Sequence, residues 1–105
     1  MAMELLKTDK DGTYTIAVAG EIDLYSSPDL RSAITKAITS ASATLHIDLG
    51  GVEYMDSSGV ATLVEGLRTS MDRNVGFVLL APSQPVLKVL QLSRLDTVFT
   101  IRDRA

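Results

Sequence analysis

Two short segments combine carboxylates with hydroxyls, the side chains used in nucleophilic, metal-assisted and phosphoryl-transfer chemistry. Residues 21–27 are Glu-Ile-Asp-Leu-Tyr-Ser-Ser, and residues 53–59 are Glu-Tyr-Met-Asp-Ser-Ser-Gly. A serine beside an aspartate could act as a nucleophile, accept a phosphoryl group, or only cap a helix. Which of these applies depends on the elements that position the two segments.

The first forty residues predict a hairpin followed by a helix. Residues 3–7 and 14–18 lean toward the alternation of strands, and Asp-Gly at 11–12 suits a tight turn between them. Ser27 can cap a helix and Pro28 suits its first position, so a helix is expected to start at Pro28. The first polar segment therefore lies between a strand and a helix.

The rest of the chain alternates strand and helix. Residues 45–49 have the period-two pattern of a strand with one buried face, and the glycine pair 50–51 is expected to stop it. The second polar segment then leads into a helix whose outer face is expected to carry Thr62, Glu65 and Arg68. The inner face of that helix is expected to carry the apolar residues 60, 63, 64, 67 and 71. A nearly all-apolar run predicts a strand over 75–80 that is buried on both faces. The rest of the chain predicts a helix with residues 86, 87, 89 and 90 inward and a brief strand around 98–101.

The predicted order is strand, strand, helix, strand, helix, strand, helix, strand, which favours parallel pairing after the hairpin. A chain of 105 residues builds one core, so a single domain over 1–105 is expected. The fold class is α/β: a sandwich with an N-terminal hairpin and a mixed, mostly parallel sheet of four to five strands and three to four helices. Because loops after parallel strands meet at one edge, residues 20–28 and 51–59 are expected to be neighbours.

Serine-based catalysis lacks its usual surroundings. Ser57 has Gly59 two residues after it but Met55 two residues before it, so it does not form a nucleophile elbow. The only histidine, His46, is expected mid-strand beside Asp48, away from the carboxyl end of that strand. We therefore expect no catalytic residues and no enzymatic activity.

Metal and cofactor chemistry has little support in the sequence. The chain has no cysteine and no glycine-rich phosphate-binding motif, so we expect no cofactor and no bound metal. One alternative is a Mg²⁺-dependent phosphotransfer enzyme that uses Glu21, Asp23 and Asp56, because hard cations prefer carboxylate oxygens.

Charge and hydropathy argue against nucleic acid and membranes as direct partners. Thirteen acidic against ten basic residues give a formal net charge of -3, so no basic field attracts nucleic acid directly. The longest uninterrupted apolar stretch, 77–81, is far shorter than the roughly 18 residues of a membrane span. Charged residues crowd the first eleven positions and leave no apolar signal-peptide core. We expect no membrane insertion and a cytoplasmic protein.

Residues 56–59 also have an ordinary structural explanation, because aspartate and serine are the best helix caps. One cap satisfies one helix start, so the other short polar groups lack a structural role. Gly59 in the first turn costs about 0.5–1 kcal/mol relative to alanine, which suggests a close approach to the backbone by a protein or a phosphate.

The chain resembles the STAS domain, and within it the single-domain bacterial anti-sigma factor antagonists. The resemblance rests on Gly-Glu-Ile-Asp at 20–23, Ile-Asp-Leu at 47–49 and Val-Glu-Tyr-Met-Asp-Ser-Ser-Gly-Val at 52–60. The Met-Asp-Ser-Ser-Gly run is the specific part, and the agreement in strand and helix order covers nearly all of the chain.

The resemblance implies a switch controlled by phosphorylation. The unphosphorylated antagonist would bind an anti-sigma factor that is also a serine kinase and so release a sigma factor for transcription. The kinase would phosphorylate Ser57, with Ser58 as the less favoured site, and a serine phosphatase would reset the cycle. Asp23 matches a family position beside that serine and is expected to orient or hydrogen-bond the Ser57 hydroxyl. The residues expected at the partner surface are Glu21, Asp23, Leu24, Tyr25, Ser26, Ser27, Asp56, Ser57, Ser58 and Gly59.

A different function also fits the resemblance, namely a STAS assembly subunit of a lipid-transport complex or of a stress-sensing scaffold. In lipid-transport relatives the serine is often replaced. Retention of both Ser57 and Ser58 in this chain favours the phosphorylation switch.

Overall fold

A computed structural model describes residues 3–40 and 43–104. Within these ranges the chain forms five strands and three helices in the predicted alternation. They are β1 (Met3–Lys10), β2 (Thr13–Ile22), α1 (Ser27–Ser40), β3 (Thr44–Met55), α2 (Ser57–Asp72), β4 (Gly76–Leu80), α3 (Gln84–Leu92) and β5 (Thr100–Arg102).

The strands form one sheet in the order β1-β2-β3-β4-β5. β1 and β2 pair antiparallel, whereas β2, β3, β4 and β5 pair parallel. The hairpin is confirmed, because Asp11 and Gly12 both have positive φ, 53° and 83°, between the paired residues Lys10 and Thr13. The α/β class and the mostly parallel sheet are likewise confirmed.

The core lies between the helices and one face of the sheet. Leu45, Ile47 and Leu49 of β3 are fully buried, whereas His46 and Asp48 between them are partly exposed on the opposite face. The buried apolar residues of β2, β3 and β4, apart from Val78, join those of all three helices in one hydrophobic cluster. The period-two pattern in the sequence identified this inner face correctly.

The glycine pair at 50–51 does not end β3, so that expectation is wrong. The strand continues to Met55, and its register with β2 shifts between Ala17 and Ala19 and again between Gly20 and Glu21. A Cβ atom added at Gly51 would lie 3.1 Å from the Ala19 Cβ, so the strands approach closely there. The glycines therefore permit an irregularity inside a strand and do not terminate it.

Helix α2 packs on α1 through small and polar residues that the apolar pattern did not reveal. Thr62, Gly66 and Ser70 are buried, whereas Met71, expected in the inner stripe, is 67% exposed. A Cβ at Gly66 would lie 3.0 Å from the Ile34 side chain, so the two helices meet at small residues. The outward placement of Thr62 is therefore wrong.

Local hydrogen bonds explain how these hydroxyls tolerate burial. Thr62 Oγ1 donates to the Ser58 carbonyl at 2.9 Å, and Ser70 Oγ donates to the Leu67 carbonyl at 2.7 Å. A buried hydroxyl that bonds the backbone of its own helix leaves no unsatisfied group in the interface.

Helix α1 starts at Ser27, one residue earlier than predicted. The helix ends at Ser40, and residues 41 and 42 lie outside the described residues. In β4 the consecutive residues Phe77, Val78 and Leu79 are all buried, as the apolar run predicted.

Candidate functional site

The two polar segments meet at the carboxyl ends of β2 and β3. Ile22, the last residue of β2, pairs in register with Met55, the last residue of β3. The Asp56 amide then donates to the Ile22 carbonyl at 3.1 Å. The prediction that the loop before α1 lies beside the start of α2 is confirmed.

Asp56 caps helix α2. Its backbone is extended, and its Oδ1 accepts hydrogen bonds from the Ser58 amide at 2.9 Å and the Gly59 amide at 3.4 Å. These two amides belong to the first turn, where a helix has no partners of its own for its N–H groups. One residue of the polar run is thus explained by helix capping alone.

Ser57 is the first residue of α2, and its side chain is exposed. Across residues 3–40 and 43–104, the hydrogen-bond network leaves the Ser57 hydroxyl without a protein partner. The hydroxyl is therefore accessible to an enzyme from outside and has no structural bond to lose. Ser58, by contrast, is partly buried and gives its amide to the cap.

Gly59 is buried, which changes its interpretation. A Cβ at this position would lie 2.8 Å from Ile22 Cγ2 and would collide with Met55 Cγ. The close approach inferred from the sequence is therefore made by the chain's own strand ends and not by a partner or a phosphate. Glycine lets the first turn of α2 pack directly on β2 and β3.

The loop between β2 and α1 is held by a compact set of hydrogen bonds. Asp23 Oδ1 accepts from the amides of Tyr25 and Ser26, each at 2.9 Å. Ser26 Oγ accepts from the Asp23 amide and donates to the Glu21 carbonyl, also at 2.9 Å. This pattern is an Asx turn locked by a serine, and it fixes the direction in which residues 24 and 25 project.

The hydrogen bonds change the acidity of Asp23. The amide of Ser26 contributes most to lowering the pKa of the Asp23 carboxyl below its ordinary value, and the amide of Tyr25 adds to this. Asp23 is therefore ionised near neutral pH. The expected hydrogen bond to the Ser57 hydroxyl is not formed among the described residues, because Asp23 bonds its own loop.

The predicted partner-surface residues differ in accessibility. Leu24 and Tyr25 are 67% and 90% exposed, and Ser57 is exposed as well. Ser27 is buried, and its amide donates to the Asp23 carbonyl at 2.8 Å. Gly59 is buried as well, so neither Ser27 nor Gly59 offers surface to a partner. The members of intermediate exposure are Glu21, Asp23, Ser26, Asp56 and Ser58.

Tyr54 is a surface residue of this site that the sequence analysis missed. Its side chain is 50% exposed, and it pairs in register with Glu21 at the end of the sheet. The prediction that β3 stops at the glycine pair hid the strand position of Tyr54. An aromatic residue at a strand end, two residues before a helix cap, was the available signal.

The site carries negative charge only. Residues 20–30 and 51–60 contain Glu21, Asp23, Asp29, Glu53 and Asp56, and they contain no lysine, arginine or histidine. The part of the chain that the structure describes holds no group of three His, Asp or Glu side chains able to bind a metal ion. The carboxylates therefore form an acidic surface without a metal centre among these residues.

His46 and Asp48 take no part in this site. The Asp48 carboxylate accepts two hydrogen bonds from the Arg104 guanidinium, at 2.6 and 3.2 Å, and the pair raises the pKa of Arg104. Among the described helices, none has the length and apolar character needed to cross a membrane.

Comparison with known proteins identifies the class to which this fold and site belong. A family model described as "Mlab, STAS domain" matches residues 6–102, so the chain belongs to the STAS domain family.

Individual relatives match over almost the whole chain. An anti-sigma-B factor antagonist of Listeria monocytogenes is 29% identical over 103 residues, which are 98% of this chain and 90% of that protein. The crystal structure of an anti-sigma factor antagonist from Mycobacterium paratuberculosis has a TM-score of 0.87 at 29% identity, covering 96% of this chain and 86% of that one.

The anti-sigma factor antagonist SpoIIAA matches in two forms. Its unphosphorylated form has a TM-score of 0.80 at 30% identity, covering 99% of this chain and 89% of that one. The Bacillus cell fate determinant SpoIIAA in the phosphorylated form has a TM-score of 0.75 at 28% identity, covering 99% and 92%.

Proposed function

We propose that this chain is an anti-sigma factor antagonist controlled by phosphorylation of Ser57. The unphosphorylated chain binds an anti-sigma factor that is also a serine kinase, and this binding releases the sigma factor. The kinase transfers the γ-phosphoryl group of ATP to the Ser57 hydroxyl, ADP leaves, and the phosphorylated antagonist dissociates. A serine phosphatase hydrolyses the phosphoserine and restores binding. The chain itself has no enzymatic activity and acts in the cytoplasm.

The observation that carries the proposal is the Ser57 hydroxyl, exposed at the first position of a capped helix and without a hydrogen bond among the described residues. A kinase must reach the hydroxyl oxygen and align it with the phosphoryl group, which a buried or bonded serine would resist. The names of the relatives support the same conclusion, since they are antagonists and one is known in a phosphorylated form.

The fold tolerates the modification. A phosphoserine adds about -1.5 to -2 charges, and at a helix N-terminus the free N–H groups and the dipole stabilise negative charge by roughly 0.3–2 kcal/mol. Asp56 continues to cap the Ser58 and Gly59 amides, because its Oδ1 does not contact the Ser57 hydroxyl.

Phosphorylation of Ser57 weakens binding to the kinase. The dianion would enter an interface beside Glu21, Asp23 and Asp56, where it must lose water among like charges at a cost of several kcal/mol. A shift from 99% to 1% bound requires about 5.5 kcal/mol of differential affinity. A phosphate at this position has the required magnitude.

Phosphorylation in vitro tests the proposal. The purified chain is incubated with the anti-sigma factor kinase of the same organism and ATP, and the phosphorylated residue is located by mass spectrometry. We expect one phosphate on Ser57, none after Ser57→Ala, and unchanged incorporation after the matched substitution Ser58→Ala. Ser57→Ala should bind the kinase constitutively, whereas Ser57→Asp should bind weakly.

Two results would contradict the proposal. Phosphate on Ser58 or elsewhere would overturn the assignment of Ser57. Stable co-purification with a transporter ATPase, together with no binding to the kinase, would instead favour the assembly subunit of a lipid-transport complex.

A further inference from the structure

Three large apolar side chains are exposed around the candidate site. Leu24 and Tyr25 occupy the tip of the β2–α1 loop, and Tyr54 lies at the neighbouring strand end, where its register partner Glu21 leads into that loop. Leu24 and Tyr25 adjoin in sequence, and adjoining exposed apolar side chains mark protein contact sites, in which tyrosine often contributes much of the binding energy. These three residues, Leu24, Tyr25 and Tyr54, are termed the apolar rim.

The loop that carries two of the rim residues is already ordered. Asp23 and Ser26 make four hydrogen bonds within it, and the amide of Ser27 bonds the Asp23 carbonyl at 2.8 Å. Holding a loop in its bound conformation removes the entropy cost of ordering it when a partner binds. Leu24 and Tyr25 are thus presented to a partner at little conformational cost.

The charge around the rim selects the partner's chemistry. All ionisable side chains of residues 20–30 and 51–60 that carry charge at neutral pH are acidic. A complementary protein surface therefore has an apolar pocket for the rim and arginine or lysine side chains opposite the loop carboxylates Glu21 and Asp23. Opposite Ser57 it presents no basic side chain, so a phosphate there gains no ion pair. A second copy of this chain presents the same carboxylates and fits poorly at this surface.

We infer that the apolar rim is the main anchor for the kinase, which presents an apolar pocket bordered by basic side chains, and that Asp23 acts chiefly as a positioning residue for the rim. This inference rests on the proposed function, since it takes the kinase as the occupant. It assigns Asp23 to the backbone amides of Tyr25 and Ser26 in place of a direct contact with Ser57.

Truncation of the rim tests the anchor. Affinity for the purified kinase, with ADP bound, is measured by calorimetry for Leu24→Ala, Tyr25→Ala and Tyr54→Ala. We expect Tyr25→Ala to weaken binding by at least about 30-fold, the effect of a contact hot spot, and the other two by at least about 5-fold. The matched control is Leu92→Ala, because Leu92 is 76% exposed but lies at the end of α3. It should bind like the wild type.

A pair of Asp23 variants tests the positioning role. Asp23→Asn keeps a side-chain oxygen that can accept from the two amides, whereas Asp23→Ala removes it. We expect Asp23→Asn to bind within about 3-fold of the wild type and Asp23→Ala and Ser26→Ala to weaken binding at least about 10-fold. A direct charge contact would instead make the asparagine and alanine variants equally weak, and this result would overturn the positioning role.

The outcomes separate the inference from the function on which it rests. If the wild type binds and is phosphorylated on Ser57 while the rim variants bind equally well, the inference is wrong and the proposed function stands. If the wild type does not bind the kinase, both are wrong. Thermal unfolding of each variant separates a loss of affinity from a loss of fold. Because the rim side chains are exposed, we expect the rim variants to keep the Tm of the wild type.

Discussion

Substitution of Gly59 by alanine measures how tightly the start of α2 is packed on the sheet. The added methyl group would lie 2.8 Å from Ile22 Cγ2 and nearer still to Met55 Cγ. Both neighbours are buried in the core, and the β-branched Ile22 side chain has little freedom to move away. The substitution therefore forces strain at the strand ends that position Ser57.

Two opposing terms set the magnitude. Alanine improves helix propensity over glycine by about 0.5–1 kcal/mol, whereas inserting a methyl group into a packed core costs about 1–3 kcal/mol. Because two buried side chains must move, we expect the packing cost to exceed the propensity gain, and Gly59→Ala to lower the free energy of unfolding by about 1–2 kcal/mol. Each kcal/mol corresponds to roughly 4–8 °C in Tm for a domain of this size.

Urea unfolding with linear extrapolation provides the measurement, with an unchanged m-value as the sign that only stability has moved. Ala61→Gly, at an exposed position of the same helix, measures the propensity term alone. In the background of Met55→Ala, which removes the nearer obstacle, Gly59→Ala should cost less or become stabilising. A Gly59→Ala protein more stable than the wild type would refute the close packing of this turn.

Substitutions at four further positions test separate features. Asp56→Ala should lower the free energy of unfolding by about 1 kcal/mol through loss of the α2 cap. Asp56→Asn can still cap the helix, so its free energy of unfolding, measured by urea titration, should stay close to that of the wild type. Thr62→Lys should cost more than about 2 kcal/mol, since it buries a charge between α1 and α2, and an unchanged midpoint would contradict that burial. Because the pKa of Asp23 is lowered in the folded chain, its ionised carboxylate stabilises the fold at pH values above the ordinary pKa of 3.8. The difference in free energy of unfolding between wild type and Asp23→Asn should therefore vanish as the pH falls through the lowered pKa. Ser57→Asp should raise the Tm slightly through the helix dipole, worth about 0.3–1 kcal/mol, while weakening kinase binding; a fall in Tm would show that negative charge disturbs the monomer.

The hydrophobic periodicity of the sequence predicted the architecture well, because most of the buried side chains lie at the apolar positions of that pattern. The alternation of Leu45, Ile47 and Leu49 identifies the inner face of β3, and the Asp-Gly turn identifies the hairpin. The errors arise where backbone geometry, and not hydropathy, decides the outcome. A glycine such as Gly51 can either end a strand or permit a close approach within it, and the neighbouring strand, where Ala19 lies 3.1 Å from a Cβ at Gly51, distinguishes these cases.

The interface between α1 and α2 shows a second limit. Thr62 and Gly66 are buried because the two helices approach closely, and the Thr62 hydroxyl bonds its own backbone. Such burial follows from the partner helix, which a pattern along one helix does not contain. The two polar segments were correctly expected to be neighbours, but the burial of Ser27 and Gly59 required the tertiary contacts.

The geometry explains why recognition and modification can be coupled without a conformational change. The loop carrying Leu24 and Tyr25 and the helix carrying Ser57 are joined by the Asp56 amide bonded to the Ile22 carbonyl at 3.1 Å. In the proposed function, a partner that contacts the loop also covers the first turn of α2, where the dianion on Ser57 would lie inside the contact. The helix dipole stabilises that charge in the free chain, while the surrounding carboxylates penalise it in the complex. The same phosphate thus acts with opposite sign on folding and on binding, which is the property a release switch requires.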